Sequence, residues 1–76
     1  MATYAQFYTA GFYSGKPVAA CGDRSVIRLD GRVSQLRQET IAEAECRRRG
    51  FIAWQLIKGD SLLSAKPITK IVPLYY

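Results

Sequence analysis

Between residues 3 and 13 the chain alternates: Tyr4, Gln6, Tyr8, Ala10 and Phe12 fall on one side of an extended backbone, and Ala5, Phe7, Thr9, Gly11 and Tyr13 on the other. A period of two with this aromatic enrichment predicts a first strand. Residues 14–17, Ser-Gly-Lys-Pro, have the composition of a turn, so residues 18–21 begin an antiparallel return. Gly22-Asp23-Arg24-Ser25 either bulges that return or turns it into a further strand over residues 26–29, which the turn dipeptide Asp30-Gly31 closes.

A helix follows, and its ends are its clearest signal. Thr40 with Glu43 three residues later fits a capping box, in which the hydroxyl and the carboxylate satisfy free backbone donors. A start near Ser34 is the alternative and adds about a turn and a half that contains Leu36. Glu39, Glu43 and Glu45 precede Arg47, Arg48 and Arg49, the order that complements a helix dipole, and Gly50 suits a left-handed C-cap. Apolar content is modest, chiefly Leu36, Ile41, Ala42, Ala44 and Cys46, so the helix is expected to lie on a sheet through small side chains.

Residues 51–58 read as a strand between Gly50 and Gly59, with Ile52, Trp54 and Leu56 on one face and Phe51, Ala53, Gln55 and Ile57 on the other. Two largely apolar faces are the mark of a central strand. Residues 68–74 contain Pro73, which suits an edge strand because proline cannot donate to a ladder. The resulting order, β-β-(β)-α-β-β over residues 1–76, is a single α+β domain with one helix on a mainly antiparallel sheet. One helix covers one sheet face. The other face requires loops such as Leu62-Leu63, a second copy or a partner, since exposed aromatic patches mark interaction surfaces.

At 76 residues there is room for one small core. Two cysteines, Cys21 and Cys46, are too few for a disulfide-built secreted scaffold, and with no histidine they cannot complete a four-ligand zinc site. They read as reduced thiols, with one Cys21–Cys46 disulfide as the alternative. The absence of histidine also removes the commonest general base, while the glutamates are accounted for by the helix and the glycines have no phosphate-loop spacing. The expectation is a protein that is not an enzyme and takes no cofactor. The uncharged residues 1–15 lack the basic segment and unbroken apolar run of an export signal, and no stretch is long enough to span a membrane, so the cytoplasm is the expected location.

Net charge is +5, and all seven arginines fall between Arg24 and Arg49. Arginine is the cation suited to bidentate contact with phosphate or carboxylate. Arg24, Arg28, Arg47, Arg48 and Arg49 are therefore candidate contacts, although three successive helical positions cannot all face one partner. Arg24, Arg28 and Arg32 share one strand face if the strand runs unbroken to the last of them. Tyr4, Tyr8 and Tyr13 join the list as exposed aromatics, able to pack in a protein interface or to stack on single-stranded bases.

The tyrosine-rich first hairpin, the helix ending Arg-Arg-Arg-Gly, the return strand Phe51-Ile52-Ala53-Trp54-Gln55 and the final Pro67-Ile68-Thr69-Lys70-Ile71-Val72 resemble, in layout, small bacteriophage and prophage accessory proteins, including host-takeover and anti-CRISPR inhibitors. The resemblance implies a non-catalytic protein, in the host cytoplasm, that occupies a surface on a host protein or complex. The basic charge disfavours imitation of nucleic acid. Direct nucleic-acid binding and a structural homodimer are the alternatives.

Overall fold

The structure, a computed structural model, describes residues 1–11 and 16–74. Its centre is β1 (Ala2–Ala10), paired antiparallel along most of its length with β4 (Ala53–Gly59) in the register Thr3↔Lys58, Ala5↔Leu56 and Phe7↔Trp54. The outer edge of β1 is shared by two short strands. β3 (Val26–Leu29) covers its first half and β2 (Pro17–Ala19) its end. The outer edge of β4 is likewise divided between β5 (Lys66–Pro67) and β6 (Val72–Pro73). These six strands form an antiparallel sheet with one helix, α1 (Gln35–Arg49), packed against it, a small compact α+β domain. Among the described residues no helix is long and apolar enough to cross a membrane.

The alternation along β1 decides what is buried. Thr3, Ala5 and Phe7 face the helix and are buried, whereas Tyr4, Gln6 and Tyr8 point to the opposite side and remain partly exposed. On the helix side, Ala5, Phe7, Trp54, Leu56, Leu29 and Leu74 form a core with Ala42 and Cys46 of α1. Small side chains at positions four apart let the helix lie close on the sheet. The other large apolar residues of α1 do not share this task, because Leu36 is 75% exposed and Ile41 also faces out. Gln38 takes the remaining inward position and is buried, its Nε2 donating to the Asp30 carbonyl at 3.0 Å. That bond offsets the cost of burying an amide and ties the start of the helix to the preceding turn.

The helix begins at its earlier candidate start, and the Thr40 capping box does not form. Ser34 is the N-cap, with its Oγ accepting from the Arg37 N–H at 3.2 Å. Thr40 lies a turn inside, where its hydroxyl donates back to the Leu36 carbonyl. This correction also moves the glutamates: the first turn holds no acidic residue, so the dipole is complemented only at the C-terminal end. There the expected glycine cap is present. Gly50 has φ 81°, the Phe51 N–H donates to the Cys46 carbonyl at 3.0 Å and the Gly50 N–H to the Arg47 carbonyl at 3.2 Å, the two bonds of a Schellman motif.

Two further expectations change. Residues 68–74 do not run as one edge strand: the chain pairs with β4 at residues 66–67, loops away and pairs again at residues 72–73. Thr69 explains how the interval is bridged, since its Oγ1 accepts the Leu56 N–H at 3.1 Å and its carbonyl accepts from Gln55 Nε2. Leu62 and Leu63 do not cover the second sheet face as a pair, because Leu63 is fully exposed and Leu62 is 41% exposed. Arg24 and Arg32 do not extend the face of Arg28, since β3 ends at Leu29 and Arg24 lies in a short 3-10 turn, Asp23–Ser25.

Candidate functional site: the uncovered sheet face

Register assembles the face opposite α1. Residues directly paired across strands point the same way, so Tyr4 stands between Arg28 and Ile57, Gln6 between Val26 and Gln55, and Tyr8 between Ala19 and Ala53. No acidic residue occupies any of these positions. The middle of the face is internally satisfied. Gln6 Nε2 donates to the carbonyls of Phe7 at 3.0 Å and Ser25 at 3.1 Å, and Tyr8 Oη donates to Gln55 Oε1 at 2.7 Å. Partial burial pushes the Tyr8 phenol above its ordinary pKa, so it stays a neutral donor at physiological pH.

The row through Tyr4 is different. The phenol of Tyr4 and the guanidinium of Arg28 have no hydrogen-bond or ionic partner among the described residues, although they are adjacent across β1 and β3. Ile57 and Pro67 continue the same row on the other side of Tyr4. The result is a strip of one cation, one aromatic and two apolar side chains across three strands and the edge of a fourth. Such a strip offers a guanidinium for a carboxylate or phosphate next to a flat apolar surface.

The remaining candidate contacts are elsewhere. Arg48 and Arg49 both engage Glu45, with Arg48 Nη2 at 2.6 Å and Arg49 Nε at 2.9 Å from Glu45 Oε2. Those two hydrogen bonds hold the Glu45 carboxyl down to about 2. Arg49 also donates through Nη1 to the Arg24 carbonyl at 3.2 Å and lies over the Phe7 ring. It works inside the fold. Arg24 and Arg47 have exposed side chains, and the whole arginine run belongs to the helix that packs on the face away from Tyr4 and Tyr8. Tyr13 lies outside the described residues.

Of the residues named from sequence, then, Tyr4, Tyr8 and Arg28 share one surface, while Arg47, Arg48, Arg49 and Arg24 gather at the C-terminal end of α1. Ile57, Gln55 and Pro67 were not singled out as site residues; the alternation of residues 53–58 carried that signal for the first two. Cys21 and Cys46 are free thiols, the first exposed and the second buried. Among the described residues no group of three or more His, Cys, Asp or Glu side chains is placed to hold a metal. Compared with known proteins, the chain matches no family model, no curated protein and no solved structure.

Proposed function

We propose that this chain is a non-enzymatic interaction protein that docks a partner macromolecule on the open sheet face, with Arg28 and Tyr4 as the central contacts. One observation carries the reading: Tyr4 and Arg28 are cross-strand neighbours on the face away from α1, and among the described residues neither polar group has a partner. Arginine and tyrosine are residue types that concentrate binding energy in protein interfaces. The missing carboxylates on this face favour an acidic partner surface. The layout shared with phage accessory proteins adds a host protein or complex as the class of partner, which accords with a net charge of +5 and no histidine.

The test is recovery of partners on the immobilised chain from a bacterial lysate, repeated with Arg28→Glu, Tyr4→Ser and, as a contrast, Arg47→Gln. The expected result is one stoichiometric protein that the first two variants lose and the third keeps, at unchanged melting temperature. Recovery unaffected by Arg28→Glu and Tyr4→Ser would overturn the reading. Nucleic acid is the second reading, because the same tyrosine and arginine suit a single strand. Affinity for oligonucleotides that falls steeply with salt, as released counterions require, would replace the protein partner by nucleic acid.

A further inference from the structure

Among the described residues four short strands form the outer edges of the sheet, and β3 is built differently from the rest. β2, β5 and β6 each contain a proline, Pro17, Pro67 and Pro73. Beside them the Gly11 N–H donates to the Lys16 carbonyl, the Ile68 N–H to the Leu56 carbonyl and the Leu74 N–H to the Ile52 carbonyl. With the registers Ala10↔Pro17, Ile57↔Pro67 and Ala53↔Pro73, these bonds place every proline at a pair that exchanges no hydrogen bonds. Each ring therefore stands where an N–H would point outward, which blunts the edge. β3, Val26-Ile27-Arg28-Leu29, has no proline.

The direction of its backbone groups follows from β1. The Phe7 carbonyl accepts from the Ala20 N–H at 3.1 Å on the β2 side, and the Tyr8 carbonyl from the Ile52 N–H at 3.0 Å on the β4 side. Backbone groups alternate along a strand, so Thr3 and Ala5 turn theirs toward β3, and Tyr4 and Gln6 toward β4. Leu29 and Ile27, paired with Thr3 and Ala5, complete the ladder. Arg28, paired with Tyr4, is left with its N–H and carbonyl aimed at the outer edge, as is the carbonyl of Val26, paired with Gln6. None of these three groups has a hydrogen-bond partner among the described residues.

We propose that the partner docks by strand addition: an extended segment of alternating acidic and apolar residues lies along β3, exchanging two backbone hydrogen bonds with Arg28 and donating a third to Val26. The proposal rests on the reading that Arg28 and Tyr4 contact a macromolecule, and it adds the shape and charge pattern of what they contact. A residue set opposite Arg28 shares its face, where the guanidinium is exposed and no carboxylate stands at the paired positions. An acidic side chain complements it. The next residues of the segment fall on the helix side, beside Ile27, which packs against the core, and there an apolar side chain fits. A second copy fits poorly, because β3 paired with β3 brings two Arg28 guanidiniums onto one narrow strip.

The probe is a synthetic peptide alternating valine and glutamate, about seven residues long with capped ends, set against a lysine counterpart. In the isotope-labelled chain alone, the Arg28 amide is expected to exchange with solvent faster than those of Ile27 and Leu29. The glutamate peptide is expected to slow it, with saturating shifts confined to β3 and β1, and the lysine peptide to do neither. Arg28→Glu is expected to swap the two preferences. An ester in place of the Arg28 N–H, introduced by ligation at Cys21, keeps the side chain and is expected to weaken the glutamate peptide about fivefold to tenfold, as loss of one hydrogen bond implies. The N–H it removes lies outside the ladder, and an unchanged amide spectrum establishes that the chain is folded. Equal binding of both peptides, absence of binding by the glutamate peptide, or full-strength binding by the ester overturns the proposal. Protection of Arg28 that grows with chain concentration alone assigns the edge to a second copy and overturns it as well. The ester also separates the proposal from the reading beneath it. A lysate partner lost by Arg28→Glu but kept undiminished by the ester leaves the docking surface standing without strand addition, whereas a partner indifferent to Arg28→Glu removes the surface itself.

Discussion

Arg49 lies with its guanidinium carbon 5.9 Å from the centre of the Phe7 ring, which itself stacks on Phe51 at 5.4 Å. The Schellman cap at Gly50 produces this arrangement, because it turns the chain so that Phe51 packs beside the core while Arg49, at the end of α1, reaches back over β1. Three adjacent arginines are thereby made unequal. Arg49→Ala is expected to cost about 1–2 kcal/mol through the lost cation–π contact and stem packing, lowering the melting temperature by roughly 5–10 °C. Arg47→Ala and Arg48→Ala are expected to cost less, their side chains being exposed, with Arg48→Ala losing its surface bond to Glu45. Thermal unfolding of the three variants checks the order.

Acid unfolding follows from Glu45. Its carboxyl is held from the ordinary 4.5 down to about 2 by hydrogen bonds from Arg48 and Arg49. A group whose pKa is lower in the folded state stabilises the fold above its unfolded value and loses that contribution as pH falls toward the folded one. Asp30, lowered by bonds from the backbone and side chain of Arg32, acts in the same direction. The melting temperature is therefore expected to decline between about pH 4.5 and pH 2. Glu45→Gln is expected to flatten that decline, and a wild-type slope in this variant would assign it to other carboxylates.

Gly59 ends β4 under the loop that leads to β5. A Cβ at this position would stand 2.6 Å from the Ala65 Cα and 2.8 Å from its N, backbone atoms that cannot rotate away. Gly59→Ala is expected to destabilise by about 1–3 kcal/mol, through overpacking rather than through any demand on φ. Gly50→Ala has open space around it but a left-handed backbone, and is expected to cost about 1–2 kcal/mol. Denaturant titration of the two separates backbone conformation from close approach: extending the 60–65 loop should rescue the first and not the second.

The indole of Trp54 is 3% exposed, and its Nε1 is buried without a hydrogen-bond partner among the described residues. Trp54→Phe removes a donor that the fold leaves unsatisfied while keeping an aromatic ring against Phe7 and Leu56, so its cost is expected to stay below about 1.5 kcal/mol. Trp54→Ala creates a cavity and is expected to cost about 3–5 kcal/mol. Equal losses for the two would mean that the indole donor is satisfied in solution.

Periodicity carried most of this architecture. Alternation along residues 3–10 separated the helix side of β1 from the open side, and Gly50 marked the helix end, because both signals are local consequences of backbone geometry. Where the reading failed, the deciding partner was distant in sequence or competed for the same motif. Thr40 and Glu43 match a capping box, but Ser34 caps one and a half turns earlier, where Gln38 can anchor on Asp30. Leu36 and Ile41 look like inward positions until the stripe Gln38, Ala42 and Cys46 is seen to face the sheet. Thr69 stands in for a ladder partner through its hydroxyl, so the split into β5 and β6 leaves no apolar trace. The Tyr4 and Arg28 pairing is long-range, and only the register of β1 with β3 creates it.

The two thiols provide a test of the core that does not depend on function. Cys46 is fully buried between α1 and β4, where its thiol lies 3.4 Å from the Ala53 carbonyl and burial pushes its pKa up to about 11. Cys21 is exposed. Thiolate is the reactive form, so Cys46 is shielded twice, by access and by the scarcity of its anion at neutral pH. A thiol reagent at pH 8 is expected to label one equivalent per chain rapidly, at Cys21, and the second only at the rate at which α1 lifts from the sheet. Cys46→Ala is expected to cost about 1–2 kcal/mol by leaving a small cavity, and to leave the fast labelling phase intact. Two fast equivalents in the native protein would mean that α1 is not held on the sheet by Ala42 and Cys46 as described.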